Sequence, residues 1–331
     1  MEENKIFLFL VFICFLYHFY NSHVNKTKIT DKRIIKYFSP NYSQTKIKPI
    51  KDGKIFISIA SYRDPLLKQT VESLIEKCQD VSQIRIVICE QNSKDDVDFI
   101  YSPFSMTKIE IIKIPHTEAR GPCWARYLIQ QKFEGEEFYL QIDSHTKFIC
   151  ENWDTKLKDM ISILPEKTCL SNYVASFDHA TGEINNKPLR GPMKIVNYNK
   201  QDKFMRFNSK YVNYMDTPEK SFGWSGCFSF SSSQIIVDAP YDPYVPFLFF
   251  GEETDIYLRL LSKKWSMYVP NIPICATVFD RSYRKTFWEH PDKDIVTYSR
   301  QRLYHRFNWI KINDPLILKN NYLYSINSKV K

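Results

Sequence analysis

Asp143 and His145 stand two residues apart in the stretch YLQIDSHTKF (139–148), with only Ser144 between them. Residues i and i+2 of an extended chain point to one side, so a carboxylate oxygen and an imidazole nitrogen can converge on one cation. That mixed pair suits Mn2+ better than Ca2+ or a thiolate-seeking metal. The alternative is a strand-end turn in which Asp143 bonds nearby backbone N–H groups. A second acidic group lies in FGEETDIYLRLLSKKW (250–265). Glu252, Glu253 and Asp255 gather at a helix start, where the macrodipole favours carboxylates. Glu252 and Asp255 share a face, and Arg259 stands four residues beyond Asp255. A favourable helix start with one ion pair explains half of this pattern; chemistry requires one carboxylate to face a hydroxyl-bearing substrate. The third group is TVFDRSYRKTFWEHPD (277–292). Asp280 offers a third metal ligand with His290 competing for that role, and Arg281, Arg284 and Lys285 could neutralise phosphate charge. Without the first motif this segment reads as a solvated basic loop.

The elements that must carry these residues read as an α/β unit. KIFISIAS (54–61) is a continuous apolar run suited to a strand buried on both faces. DPLLKQTVESLIEKC (64–78) carries apolar residues at helical spacing, with Asp64 placed as a cap and Pro65 in the first turn. IRIVICEQ (84–91) is the next strand, so a parallel sheet is expected. KIEIIKIP (108–115), RGPCWARYLIQQKF (120–133) and EFYLQID (137–143) then give strand, helix and strand. Asp143 and His145 therefore fall at a strand's carboxyl end, where open parallel sheets bind their ligands. NWDTKLKDMISIL (152–164) predicts another helix, the basic stretch 187–220 an irregular surface excursion, and GWSGCFSFSS (223–232) a return to extended chain.

The 331 residues, 44% hydrophobic, are enough for a large core in one domain or two modest ones. The net charge of +9 suits an anionic ligand, but its scatter does not choose between a nucleotide, nucleic acid and a membrane. IFLFLVFICFLYHFY (6–20) is nearly all apolar. It is shorter than the ~20 residues of a full span and lacks a small-residue cleavage site. It reads as an N-terminal membrane anchor (1–22), with a buried helix as the alternative. A polar stem follows (23–50). Basic residues after the anchor favour a cytosolic domain, whereas the sequons at Asn25 and Asn41 would matter only in a lumen. Seven cysteines beyond Cys14 are dispersed, without C-x-x-C, and look like reduced thiols.

No P-loop, G-x-G-x-x-G or G-x-S-x-G motif occurs, which argues against P-loop ATPases, dinucleotide enzymes and serine hydrolases. The basic, aromatic residues after Arg281 fit no common nucleic-acid module, and no nucleic-acid partner is expected.

SIASYRDP (58–65), GPCWAR (121–126), FYLQIDSHTKF (138–148) and FFGEETDIYLRLLSKKW (249–265) together resemble nucleotide-sugar glycosyltransferases of the GT-A fold. Their order is similar to that of polypeptide N-acetylgalactosaminyltransferases. It is closer still to the hydroxyproline N-acetylglucosaminyltransferases of glycosyltransferase family 60, over roughly residues 54–306. The resemblance implies a single GT-A domain over 51–310, with a Rossmann-like, mostly parallel sheet flanked by helices. Its nucleotide-binding half would span about 51–150 and its acceptor half about 151–310, with a tail at 311–331. It also implies a retaining, Mn2+-dependent transfer of N-acetylglucosamine from a UDP-sugar to a protein or glycan hydroxyl. Asp143 and His145 match the family's metal-binding triplet; the third ligand there is a histidine, where this chain has Asp280. Glu252 falls beside the sugar and acceptor, Glu90 at uracil or ribose, and Arg63 and Arg126 on the nucleotide side. Two alternatives stand beside this: an inverting enzyme with Glu252 or Asp255 as general base, and an inactive module that binds a nucleotide sugar or glycan.

Overall fold

The computed structural model describes residues 47–99, 107–185, 189–201, 204–287 and 293–313. The expected anchor, nearly all of the stem, His290 and the end of the tail lie outside them. Among the described residues no helix is long and apolar enough to cross a membrane.

The chain begins with the predicted strand–helix–strand unit, β1 (Ile55–Tyr62), α1 (Leu67–Glu76) and β2 (Ile84–Asn92). It continues through β3 (Lys108–Pro115), α2 (Pro122–Gln130), β4 (Phe138–Asp143), the short β5 (Thr146–Phe148) and α3 (Trp153–Ser162). Next come β6 (Thr168–Ser171), β7 (Ala175–Ser176), β8 (Met193–Gln201), β9 (Phe204–Tyr211), β10 (Glu219–Lys220) and β11 (Phe228–Ser232). The last elements are α4 (Gln234–Asp238), α5 (Glu252–Ser262), β12 (Ser266–Val269), β13 (Cys275–Thr277) and α6 (Lys293–Asn313).

Eight strands form one sheet in the order β10-β12-β6-β11-β4-β1-β2-β3. β4, β1, β2 and β3 run parallel, and the antiparallel β11 joins them on the far side of β4. The apolar runs explain the three layers. Alternate residues of a strand face opposite sides, so Ile55, Ile57 and Ile59 pack with Val71 and Leu74 of α1 and Trp153 and Leu157 of α3. Phe56, between them, packs with Ala125 and Ile129 of α2 and Ile256 and Leu260 of α5. The fold is therefore mixed α/β, a mostly parallel sheet covered on both faces by helices.

Two expectations need correction. The stretch 187–220, expected to be irregular, contains the antiparallel ribbon β8–β9, pairing Met193 with Tyr211 through to Gln201 with Phe204. Its polar, asparagine-rich face obscures the buried positions: Ile195, Phe204, Met205 and Phe207 are buried, whereas Asn197 and Asn199 are exposed. The long helix α6 was not foreseen, because its apolar positions do not form a single stripe. Arg302 and Arg306 instead bind Asp242, and Arg306 binds Asp255 of α5. All seven cysteines among the described residues are unpaired thiols.

A second sheet, β5-β13-β7, brings distant segments together behind the Asp143–His145 turn. Thr277 pairs with Thr146, and the Val278 N–H and the Thr277 hydroxyl both donate to the His145 carbonyl, at 3.2 and 3.1 Å. From the other side, the Thr70 hydroxyl of α1 donates to the Ser144 carbonyl (2.7 Å) and accepts the Thr146 N–H (2.9 Å). Thr70→Val leaves both buried backbone groups unpaired. It is expected to destabilise the protein by about 1–3 kcal/mol, read as a lower urea midpoint with an unchanged slope.

Candidate functional site

The site is assembled at the carboxyl end of the parallel strands. β4 ends at Asp143, level with Ala60 of β1, and the chain turns sharply into β5. Asp143 and His145 face each other across this turn, with Nε2 of His145 3.7 Å from Oδ2 of Asp143. Nδ1 of His145 lies 2.8 Å from Oδ2 of Asp64, which carries the assignment of the ring. A carboxylate at Nδ1 holds the proton on that nitrogen and leaves the Nε2 lone pair facing Asp143, the usual device for orienting a metal-binding histidine. Ligand atoms 3.7 Å apart can both reach a cation at the ~2.1 Å typical of N and O donors. One oxygen and one nitrogen fit Mn2+. Among the described residues, no third His, Cys, Asp or Glu joins them.

Asp64 escaped the sequence reading because a carboxylate ahead of a helix reads as a cap. Only its Oδ1 does that work, accepting the Leu66 N–H at 3.1 Å. Its Oδ2 takes the Ser144 hydroxyl (2.7 Å) and His145, with Nε of Arg284 at 3.3 Å. Burial would raise this carboxyl, but the His145 bond and charge, then Arg284, outweigh it and hold the pKa at about 2. The available signal was position: Asp64 follows the carboxyl end of β1, beside the end of β4.

Arg126 enters from α2, which starts at Gly121 with φ +88° and Pro122 in its first turn. A Cβ at Gly121 would lie 3.1 Å from the Phe247 backbone, so glycine allows both the left-handed entry and the close approach. Arg126 is 4% exposed. It donates to Oδ1 of Asp143 (2.8 Å), to the Gly226 carbonyl (3.0 Å) and to Oε1 of Glu252. It borders the hollow beside Asp143 and His145 and also ties the Asp143 turn to the start of α5. Tyr241 donates to the same Glu252 oxygen.

The remaining candidates are spread more widely. Arg284 stays at the site, donating to the Tyr62 carbonyl at 3.2 Å, and with Arg281 it borders two adjoining hollows. The smaller hollow contains Arg126, Asp143 and His145; the larger, about 610 Å³, is open and lined by Arg63, Asp64, Asn92 and Asp96. Arg63, with φ +49°, is clamped by both oxygens of Asp96 at 2.7 and 3.1 Å. Glu90 is buried at the end of β2; its Oε1 accepts the Phe99 N–H at 2.7 Å, and burial pushes its carboxyl up. Asp280 is exposed and closes a local turn, taking the Ser282 N–H (3.0 Å) and hydroxyl (2.6 Å), which lowers its pKa.

Asp255 is not brought to the cleft. Both its oxygens accept Arg306 at 2.8 Å, and Arg259 adds a 3.0 Å bond, so it serves the α5–α6 contact. Glu253 is half-buried. Its Oε2 accepts the Tyr173 hydroxyl (2.6 Å) and its Oε1 the Gly226 N–H (3.1 Å).

The family model described as Glycosyltransferase (GlcNAc) matches residues 54–105 and 100–311. A comparison with curated proteins found no match. Among solved structures, the chain is similar to GalNAc-T7, solved with UDP, GalNAc and Mn2+. That match has a TM-score of 0.56 and 14% identity and covers 83% of this chain and 55% of GalNAc-T7. It is also similar to residues 1–349 of S. aureus TarS in complex with UDP-GlcNAc (TM-score 0.51, 13% identity, 82% of this chain and 73% of that one). The chain thus spans about half the length of GalNAc-T7. At these identities the likeness is one of fold, and the fold is GT-A.

Asp64→Asn removes the carboxylate charge that orients His145 and can turn an amide N–H toward its ring, and is expected to weaken Mn2+ binding by roughly 10–100-fold, measured by calorimetry. Because Asp64's folded pKa of about 2 lies below its unfolded value near 4, the stability it contributes is present above pH ~4. It disappears as pH falls toward 2. An acid-unfolding series should show that loss in the native chain, and a smaller one in the variant.

Proposed function

The chain belongs to the Glycosyltransferase (GlcNAc) family, and from that membership we propose that it moves N-acetylglucosamine from a UDP-sugar to a hydroxyl acceptor. The acceptor class is a protein hydroxyproline, serine or threonine, or a glycan hydroxyl. The reaction uses a divalent cation, Mn2+ by preference, and retains configuration at the anomeric carbon, as the family 60 resemblance implies. One observation carries this reading: Nε2 of His145 faces Asp143 while Asp64 takes Nδ1, at a strand end beside a cleft bordered by Arg281 and Arg284. The ligands of GalNAc-T7 and TarS support the donor class.

Breaking the sugar–phosphate bond leaves negative charge on UDP. Asp143 and His145 would hold a cation here, and it would supply positive charge to the diphosphate leaving group. Arg281 and Arg284 stand as fixed guanidinium groups at the same mouth, where they assist the leaving group without rearranging. Asp280, or His290 beyond the described residues, would complete the cation's protein ligands; for Asp280 this requires release from Ser282. Glu252, locked by Arg126 and Tyr241, positions the donor sugar or the acceptor. Glu90 and Arg63 serve the uridine end. The N-terminal segment tethers the domain to a membrane, with the catalytic domain on its cytosolic side.

A second reading, a non-catalytic module that binds nucleotide sugar, is favoured by one observation: Asp280 replaces a histidine and is turned onto Ser282. UDP release from UDP-GlcNAc separates the two. The purified chain is expected to hydrolyse UDP-GlcNAc slowly with Mn2+, to stop with EDTA and to recover when Mn2+ is restored. The Asp143→Ala/His145→Ala double variant should lose roughly 10²-fold or more in rate. Tight UDP–Mn2+ binding without any turnover supports the module instead.

A further inference from the structure

We propose that Gln91 selects the base of the donor nucleotide, its amide oxygen accepting the N3–H of uracil. This role rests on the sugar-transfer reading above and gives the base a partner which that reading does not name. Gln91 lies near the carboxyl end of β2, directly opposite Tyr62 of β1 in the parallel register. Paired residues of neighbouring strands share a face. Gln91 and Tyr62 accordingly both line the smaller hollow, together with Gly121 and Pro122 at the start of α2. Glu90, one residue earlier, points to the opposite face of the sheet and lines neither hollow.

The orientation of the Gln91 amide is fixed by the chain itself. Its Nε2 donates to the Ser61 carbonyl at 3.0 Å. A carbonyl can only accept, so the NH2 end must lie there and the oxygen is the end left over. Gln91 is 3% exposed, and its Oε1 has no hydrogen-bond partner among the described residues. Buried polar side-chain atoms are ordinarily bonded. A lone acceptor in the wall of a hollow is matched by a ligand that brings an N–H. Oε2 of Glu90 also lacks a partner, but it belongs to a side chain away from both hollows.

The rest of the smaller hollow suits a flat ring. Tyr62, Phe249 and Phe287 line it. Phe287 stands edge-on to Tyr62 at 6.4 Å between centroids and lies 6.2 Å from Phe249. Aromatic faces stack on any base, so they add affinity without choice. Gln91 makes the choice. Uracil presents a donor at N3, whereas cytosine presents an acceptor there and would set two lone pairs against each other. The distance to the proposed cation ligands fits as well. Asp143 of β4 is level with Ala60 of β1, and Gln91 stands on β2, the next strand. Two strand spacings are roughly 10 Å, which leaves room for a ribose between base and diphosphate. Arg284 bonds the Tyr62 carbonyl on the intervening strand.

Calorimetry on the full chain with Mn2+ tests this, with UDP, CDP and inorganic pyrophosphate as probes. The native chain is expected to bind UDP roughly 10-fold or more tightly than CDP. Gln91→Leu should weaken UDP by roughly 10-fold, bring the two nucleotides to similar affinity and bind pyrophosphate like the native chain. Gln91→Met, close to glutamine in length, should repeat that pattern. A preference for UDP that survives in both variants, or that is lost in Glu90→Gln instead, overturns the proposal. So does an equal loss of UDP and pyrophosphate, which makes Gln91 a support of the strand rather than a contact to the base. A native chain that binds UDP and CDP alike overturns it too. A native chain that binds neither UDP nor UDP-GlcNAc overturns the transferase reading itself.

Discussion

A single buried guanidinium holds this site together. Arg126 reaches from α2 to Asp143 at the end of β4, to Glu252 at the start of α5 and to the Gly226 carbonyl ahead of β11. Burial penalises the charge, but Glu252, Tyr241 and Asp143 more than offset that penalty, so the guanidinium stays charged. Removing one partner from such a buried pair leaves an uncompensated charge, which typically costs about 3–5 kcal/mol. The same contact sets geometry: four elements distant in sequence must meet within reach of one side chain. Gly226 makes room for it, since a Cβ there would lie 3.2 Å from Nη1 of Arg126.

Around that anchor, each functional group has a companion that fixes its orientation. Asp64 orients His145, Thr70 secures the Ser144 turn, and the β13–β5 pairing lays the segment after Thr277 across the His145 backbone. The arrangement is chemically asymmetric. On one side Arg281 and Arg284 border the cleft and suit an anionic leaving group. On the other, α5 presents carboxylates, held by a cation in the case of Glu252 and by neutral donors in the case of Glu253.

The periphery explains why the carboxylates of α5 diverge. Asp255 faces α6 and joins Asp242, Arg302 and Arg306 in a cluster that pins the last helix to the domain. The ribbon β8–β9 lies against the other flank of α5, where the Met205 N–H donates to the Thr254 hydroxyl at 3.0 Å. At the helix start, Gly251 adopts φ +119° with its backbone so close to Phe204 that a Cβ would lie 2.8 Å from the ring. Any other residue there would be strained and crowded. Helix, ribbon and α6 therefore fix the rotation of α5, and with it which acidic residue faces which neighbour.

Local periodicity and strand-end chemistry were legible in the chain alone. Continuous apolar runs marked β1, β2 and β4, helical spacing marked α1, α2, α3 and α5, and the Asp143–His145 pair could be placed at a strand's carboxyl end. These features depend on residues close in sequence, where side-chain direction follows from backbone repeat. The polar ribbon β8–β9 and the helix α6 were not legible, because their order comes from packing and ion pairs with remote segments rather than from a local pattern. The same holds for roles within the site. Asp64 looked like a helix cap and Asp255 a possible base, since residue type and spacing do not reveal the partner each finds across the fold. Composition and order determined which groups were available and at which strand end they would gather. Only tertiary contacts decided which carboxylate orients a histidine, which neutralises an arginine and which takes only neutral donors, because hydrogen bonds and burial depend on distances between elements that the linear chain does not contain.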